Sequence, residues 1–253
     1  MPERPSQEVA PALGGNLRRV HERIDAARRR SGRPDEVTLV VVAKGRAAAD
    51  VRRVVDLGAR DVAESRVQEA RAKAAELGPL LAARGVRRHL IGPLQRNKVN
   101  AALELFDLVQ SVDSLRLGSK IAAAAAARGS PARVLLQVNG GEEPGKHGVA
   151  PAETEDAARA LAEMPGLELA GLMAVTPLDA GERELRGIFR RVRGTFDALR
   201  TGAAALDLRH LSMGMSGDFE LAIEEGATMV RVGSAVFAPD ERPGRRSGER
   251  SWI

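Results

Sequence analysis

Short apolar runs alternate along the chain with longer segments in which apolar residues recur every three or four positions. The short runs are rich in Val, Leu and Ile, which is typical of buried strands, whereas the longer spacing predicts amphipathic helices. Eight runs are predicted to be strands: 37–43, 60–64, 87–92, 107–112, 132–139, 167–175, 207–213 and 228–234. The helices predicted between them are 50–58, 67–85, 96–106, 114–129, 153–166, 182–202 and 217–226, and one more over 16–32 precedes the first strand.

This alternation predicts an α/β protein, a single (βα)8 TIM-type barrel with an extra N-terminal helix. The alternative is an open doubly wound sheet, but no G-x-G-x-x-G follows the first strand, as a dinucleotide-binding fold of that kind requires. The predicted barrel covers residues 14–238. We expect residues 1–13 and the tail 239–253, which is rich in Pro, Gly and Arg, to be mobile.

Composition excludes several functions. The chain has no cysteine, so it has no disulfide and no thiol nucleophile, and its four histidines show no paired ligand spacing, so no metal site is expected. No apolar run is long enough to span a membrane and the N-terminus lacks a signal-peptide core, so a cytoplasmic protein with no membrane partner is expected. The net charge of +5 comes mostly from Arg beside Glu and Asp, and aromatic residues are 2%, so nucleic-acid binding is not expected.

Lys44 follows the apolar run 37–43, in a chain that otherwise uses Arg far more often than Lys. Catalytic and binding residues of such barrels lie at the carboxyl ends of the strands, and Lys44 occupies such an end. An amine in an apolar pocket has a lowered pKa and can form a Schiff base with an aldehyde. A lysine at a strand end can also simply extend its ammonium group into water. Position alone leaves both interpretations open.

The loops after the predicted seventh and eighth strands form a second candidate group, because barrels of this class commonly bind a phosphate there. Ser212 and Ser234 are candidate phosphate ligands and Gly233 offers a backbone N–H group, although all three also suit ordinary turns and caps. Arg231 lies in the eighth strand and should point into the barrel. A buried Arg requires a partner, either a protein carboxylate or a polar ring atom or anion of a ligand.

A series of motifs follows Lys44 in a fixed order: AESRVQEARAK, HLIGPLQRNK, GKHG, GLMAV, HLSMGMSGDFELAI and MVRVGSAVF. With these motifs the chain resembles the pyridoxal phosphate homeostasis proteins (the YggS/PROSC family), which are relatives of the barrel domain of alanine racemase. The resemblance covers roughly residues 14–238, and LSMGMSGD and VRVGSAVF are its most specific motifs. It implies a single (βα)8 barrel with pyridoxal 5'-phosphate (PLP) bound in the barrel mouth.

The resemblance also implies a role for particular residues. It places the Schiff-base lysine of the family on Lys44 and the arginine near the pyridine nitrogen of PLP on Arg231. The phosphate-binding positions of the family fall on Ser212, Met213, Gly233 and Ser234. An arginine facing the ring nitrogen would not protonate it, which weakens PLP as an electron sink. No residue is therefore assigned a catalytic role.

The function implied is a PLP-binding protein that acts in intracellular PLP (vitamin B6) homeostasis with little or no catalysis, as a monomer, with apo-PLP enzymes as possible recipients. One alternative is a PLP-dependent amino-acid enzyme of the racemase kind. Alanine racemase uses a tyrosine from a second domain as one of its bases, and this chain has neither tyrosine nor second domain. Another alternative is a barrel that binds a phosphorylated metabolite without a Schiff base.

Two segments depart from the family pattern. The common Ser/Thr-Lys-Thr-x-Pro is replaced by Ala-Lys-Gly-Arg-Ala over 43–47, and Gly-Glu-Asn is replaced by Ala-Glu-Ser over 63–65. The lysine is present, but its neighbours differ, so we expect the loops after the first two strands to differ in shape.

Overall fold

The computed structural model describes residues 10–34, 36–143, 145–177, 179–201 and 204–239. Eight parallel strands pair in chain order, and pairing between the last and the first closes the sheet into a barrel. They are β1 Thr38–Val42, β2 Asp61–Glu64, β3 Arg87–Leu90, β4 Leu108–Val112, β5 Ala132–Asn139, β6 Leu167–Val175, β7 His210–Ser212 and β8 Met229–Val232. Every strand lies within a predicted run, and the predicted (βα)8 barrel is confirmed.

The helices lie between and around the strands, as the 3.6-residue periodicity predicts. They are α1 Ala10–Ser31, α2 Ala48–Asp56, α3 Val67–Ala83, α4 Val99–Leu105, α5 Leu115–Arg128, α6 Thr154–Ala162, α7 Glu182–Leu199, α8 Phe219–Glu224 and α9 Ser234–Phe237, with 3-10 turns at Arg96–Lys98 and Pro151–Glu153. The short α9 was not predicted. Over the described part of the chain, no helix is both long and apolar enough to cross a membrane.

The N-terminal helix α1 is longer than the predicted 16–32. It begins at Ala10, and Ala12 and Leu13 are buried, so residues 10–13 of the segment expected to be mobile are helical instead. Asn16 fixes this helix to the end of α9 by donating hydrogen bonds to the carbonyls of Val236 and Ala238, at 3.0 and 2.9 Å. Residues 1–9 and 240–253, which make up the remainder of the predicted mobile segments apart from Pro239, lie outside the described residues.

The strands separate two apolar layers because successive side chains of a strand point to opposite faces. One layer fills the barrel interior and includes Val40, Ala63, Leu135 and Met229. The larger layer lies between the strands and the surrounding helices. Each inward position of a strand therefore either packs in the interior or, at the carboxyl end, lines the barrel mouth.

Candidate functional site

Lys44 lies just beyond the carboxyl end of β1, at the barrel mouth. Val40 and Val42 of β1 pack in the barrel interior, and Lys44 continues their alternation. Its side chain is exposed, so the amine does not lie in an apolar pocket. The reason is local: Gly45 takes a left-handed φ of 68°, which ends the extended run, and Glu69 accepts the backbone N–H of Gly45 at 3.0 Å.

An open cavity of about 810 Å³ lies at the ends of β1, β2 and β3. Lys44 and Lys98 both line it, so two amines face the same space. Ser65, Gly92 and Gln95 are among its other lining residues. The cavity has room for a small aromatic ligand and offers two positions from which a lysine could reach it.

Two other lysines are held in ion pairs. Lys73 of α3 contacts Glu64 at 2.7 Å and donates to the carbonyl of Ala43 at 3.2 Å. Glu64 ends β2 but faces α3, so this strand-end residue does not reach the barrel mouth. Lys146 pairs with Glu143 in the loop after β5.

Arg231 is inside the barrel, as its position in β8 predicts, with only 6% of its surface exposed. Its guanidinium donates to the hydroxyl of Ser212 at 2.8 Å and to the carbonyl of Ala174 at 2.9 Å. No carboxylate among the described residues forms an ion pair with Arg231. The negative charge of Asp218 lies beyond ion-pair distance and opposes the lowering of the pKa of Arg231. Burial lowers the pKa of Arg231 to about 10, which leaves the group charged at neutral pH.

Ser212 and Met213, at and just beyond the end of β7, are both buried. The Ser212 hydroxyl is fully buried; it donates to Gln110 at 2.7 Å and accepts from Arg231. Met213 is also fully buried, and its side chain packs in the layer between the strands and the helices. Ser212 thus contacts Arg231 rather than the mouth, and Met213 faces the opposite side of the sheet.

Ser216, four residues beyond Ser212, contacts the residues that follow β8. Its hydroxyl oxygen accepts the backbone N–H groups of Gly233 and Ala235, at 3.2 and 3.3 Å. Gly214 makes this approach possible with a φ of 91°, in a place where a side chain would collide with the backbone of Phe219. Ser216 is not among the phosphate ligands predicted from the sequence, although it lies in the turn of the SMGMS motif.

Gly233 and Ser234 directly follow β8, which pairs with β1, the strand that leads to Lys44. A Cβ atom on Gly233 would come within 3.2 Å of the carbonyl oxygen of Val42, so this position accepts only glycine without adjustment. Ser234 begins α9 and its side chain is exposed. The structure therefore brings Gly233, Ser234 and Ser216 together at one edge of the mouth.

Asp218 lies under this edge. Burial raises its pKa, although the backbone N–H of Met215, the charge of Arg231 and the hydroxyl of Thr176 oppose the shift. On the far side of the mouth, His147 Nδ1 contacts Asp113 at 2.8 Å and ties the loop after β5 to the end of β4. Within the described residues, no group of three or more His, Asp or Glu side chains could hold a metal ion.

The fold and this site define a class of protein. The family model described as alanine racemase, N-terminal domain, matches residues 15–240. A solved alanine racemase from Clostridium difficile shares the fold, with a TM-score of 0.67 and 17% identity over 90% of this chain and 61% of that chain. The protein is thus a barrel of the alanine racemase N-terminal type.

Closer relatives narrow the class. The pyridoxal phosphate homeostasis protein of Escherichia coli is 38% identical over 89% of this chain and 95% of its own length. The structure of PipY from Synechococcus elongatus with PLP bound has a TM-score of 0.77 and 35% identity over 89% of this chain and 99% of that chain. The chain belongs to the family of pyridoxal phosphate homeostasis proteins, which confirms the resemblance found in its motifs.

Proposed function

We propose that this chain binds PLP in the barrel mouth and holds it for delivery to PLP-dependent enzymes, with little or no catalysis. The observation that carries this proposal is the buried guanidinium of Arg231, which has a hydroxyl and a carbonyl as partners but, among the described residues, no carboxylate. A buried charge of this kind is costly unless it is compensated, and a polar ring atom of a ligand provides a further hydrogen-bond acceptor.

The residues at the mouth fit the parts of PLP. Lys44 is the amine that we assign to the covalent Schiff-base attachment, with Lys98 across the same cavity as the competing amine. The hydroxyl proton of Ser216 and the backbone N–H group of Ser234 are assigned to the phosphate, and the N–H group of Gly233 orients the Ser216 oxygen. This moves the serine contact from Ser212, whose hydroxyl is occupied inside the barrel, to Ser216. Arg231 is assigned to the pyridine nitrogen.

This arrangement supports holding rather than turnover. When bound to an enzyme, PLP supplies an electron sink, and the sink is strongest when the ring nitrogen is protonated. Arg231 can donate a hydrogen bond but does not give up its proton at neutral pH, because its pKa remains about 10 even in this buried place. The chain also contains no tyrosine to serve as the base that alanine racemase uses.

The attachment is tested by adding PLP to the purified protein and recording the visible absorption band of a PLP Schiff base. We expect the band in the wild type and in Lys98→Ala, and its loss in Lys44→Ala. Loss in Lys98→Ala alone would assign the attachment to the other amine. PLP binding without any such band would favour the alternative of a barrel that recognises a phosphorylated ligand without a covalent bond.

Carrier and catalyst are separated by two further measurements on the loaded protein. A carrier restores the activity of an apo-PLP enzyme at a rate that rises with the concentration of the PLP-loaded protein. A carrier also leaves a panel of amino acids chemically unchanged. Racemisation or decarboxylation of an amino acid, lost in Lys44→Ala, would contradict the proposal and support the enzyme alternative.

A further inference from the structure

A continuous chain of hydrogen bonds crosses the barrel interior beneath the proposed ring-nitrogen contact. It begins at Arg231, passes through Ser212 and Gln110, and continues through His89 to Asp61. The four contacts measure 2.8, 2.7, 2.9 and 2.8 Å. Every member is buried, with an exposed fraction between 0% and 6%. We refer to these five residues as the interior chain.

The donors and acceptors of the interior chain run in one direction. Arginine can only donate, so the Ser212 oxygen accepts from Arg231 and its own proton goes to the carbonyl oxygen of Gln110. The amide nitrogen of Gln110 then donates to Nδ1 of His89, which must be the unprotonated nitrogen. The proton of His89 is consequently on Nε2 and is donated to Asp61.

The interior chain has opposite charges at its two ends. Burial alone would raise the pKa of Asp61, but the hydrogen bonds from His89 and Arg87 and the positive charge of Arg87 outweigh burial and lower it, so this carboxyl group is held ionised. Arg87 contacts both carboxylate oxygens, at 2.7 and 2.8 Å, and its side chain is 51% exposed, so the interior chain is anchored near the barrel surface. Oriented dipoles between a buried cation and a buried anion stabilise both charges.

We propose that Ser212 and Gln110 are positioning residues for the cofactor. They link Asp61 and His89 to the guanidinium of Arg231 through hydrogen bonds and so fix the orientation of the guanidinium. Two of the five N–H donors of Arg231 are bound to Ser212 and Ala174, which fixes the plane of the group. The remaining donors are thereby set in direction for a ligand atom in the mouth. This inference rests on the proposed PLP site, but the interior chain itself is testable without PLP.

The test without PLP uses nitrogen NMR of the protein labelled on histidine, since the chain has only four His residues. At neutral pH we expect His89 as the neutral imidazole protonated on Nε2. Gln110→Glu is nearly the same shape but places a carboxylate opposite Nδ1, so we expect His89 to become protonated on both nitrogens. A proton on Nδ1 of His89 in the wild type, or His89 signals that do not change in Gln110→Glu, would contradict the proposed donor and acceptor directions of the interior chain.

The test with PLP uses the cofactor labelled with 15N in its ring, whose shift reports the hydrogen bond at that atom. We expect Ser212→Ala and Gln110→Glu to move the ring 15N signal and to weaken PLP binding about tenfold, as loss of a supporting partner does elsewhere. Ser111→Ala is the matched control, because this buried serine on the opposite face of β4 donates to the carbonyl of Gly92 and, within the described residues, to no member of the interior chain. It should leave the ring signal in place.

The outcomes are distinguishable. An unchanged ring signal and affinity in both variants would overturn the positioning role, even if His89 behaves as expected. An equal effect of Ser111→Ala would show a general loss of packing and would overturn it as well. Failure of the wild type to bind PLP at all would refute the proposed function, whereas the histidine experiment would still decide whether the interior chain is polarised as described.

Discussion

The guanidinium of Arg46 lies over the ring of Phe237, 4.8 Å from its centre. This contact joins the loop that follows Lys44 to α9, the helix that begins at Ser234. Arg46 occupies the variable position of the Ser/Thr-Lys-Thr-x-Pro segment, directly before the position at which this chain lacks the proline of the family pattern. The contact therefore connects the loop after Lys44 to the residues around Ser234, on the other side of the barrel mouth. This loop lacks the proline that would make it more rigid in the family pattern.

Arg46→Ala removes this contact and is expected to weaken PLP binding at a small cost in stability. A cation–π contact at a partly exposed site is worth about 0.5–1 kcal/mol, so the free energy of unfolding should fall by no more than that amount. We expect PLP affinity to fall about fivefold, equivalent to about 1 kcal/mol, as the Lys44 loop loosens. Arg200→Ala is the control: Arg200 lies over Phe196, 5.2 Å from its centre and outside the mouth. Equal losses of affinity in both variants would contradict the role given to Arg46.

Ser216→Ala is expected to discriminate between ligands with and without a phosphate. A hydrogen bond to a charged group contributes about 1.5–3 kcal/mol, so PLP affinity should fall by about tenfold or more. Affinity for pyridoxal, which lacks the phosphate, should not change. Ser212→Ala should instead weaken the two ligands alike, because its hydroxyl contacts Arg231. A phosphate-specific loss in Ser212→Ala would restore the serine assignment made from the sequence.

The strands were predictable from the sequence because their pattern is local. A run such as 132–139 can be recognised as mostly apolar without knowing its neighbours in space. The helical spacing of the segments on either side of it then predicts an α/β protein. The exceptions are at the ends of elements. The helix α9 was missed, because Ser234–Phe237 is too short for a helical period to appear. The predicted start of α1 was too late, because the burial of Leu13 depends on neighbours distant in sequence.

The site was less predictable because it depends on which way each side chain points at a strand end. The sequence predicts Ser212 and Ser234 as phosphate ligands, and only the turn at Gly214 shows that Ser216 lies next to Gly233. Gln110 and His89 were not identified as functional residues. Their signal was a polar residue at an inward position of a strand, which becomes informative only once the strands are known to surround one interior.

Gly92→Ala is expected to disturb the loops at the ends of β2 and β3. A Cβ atom at this position would lie 2.2 Å from the carbonyl oxygen of Ser65, which is backbone and cannot rotate away. Overpacking of this kind costs about 1–3 kcal/mol of folding free energy, measured by denaturant unfolding. Gly194→Ala in α7 is the control. Among the described residues, no atom outside its own helix backbone and chain neighbours lies within 4 Å of the position that a Cβ would take there, and alanine favours a helix by up to about 1 kcal/mol. Destabilisation by Gly194→Ala but not by Gly92→Ala would contradict this account.

Glu64 makes the stability of the protein depend on pH. Burial raises its pKa from 4.5 to about 7, and the hydrogen bond and charge of Lys73 only partly oppose the shift. One carboxylate oxygen, Oε2, is buried and has no hydrogen-bond partner among the described residues. The folded state therefore binds a proton more tightly than the unfolded state does at this carboxyl group, so the stabilisation is complete at low pH and is lost as pH rises through this interval.

We therefore expect the free energy of unfolding of the wild type to fall between about pH 4.5 and 7 relative to that of Glu64→Gln, by at most about 3 kcal/mol. The amide keeps the shape of the side chain and cannot ionise, so the difference between the two proteins isolates this carboxyl group from Asp218, whose pKa burial also raises. Denaturant unfolding at a series of pH values measures the difference. A constant difference across the interval, or one of opposite slope, would show that the ion pair with Lys73 outweighs burial and keeps Glu64 ionised.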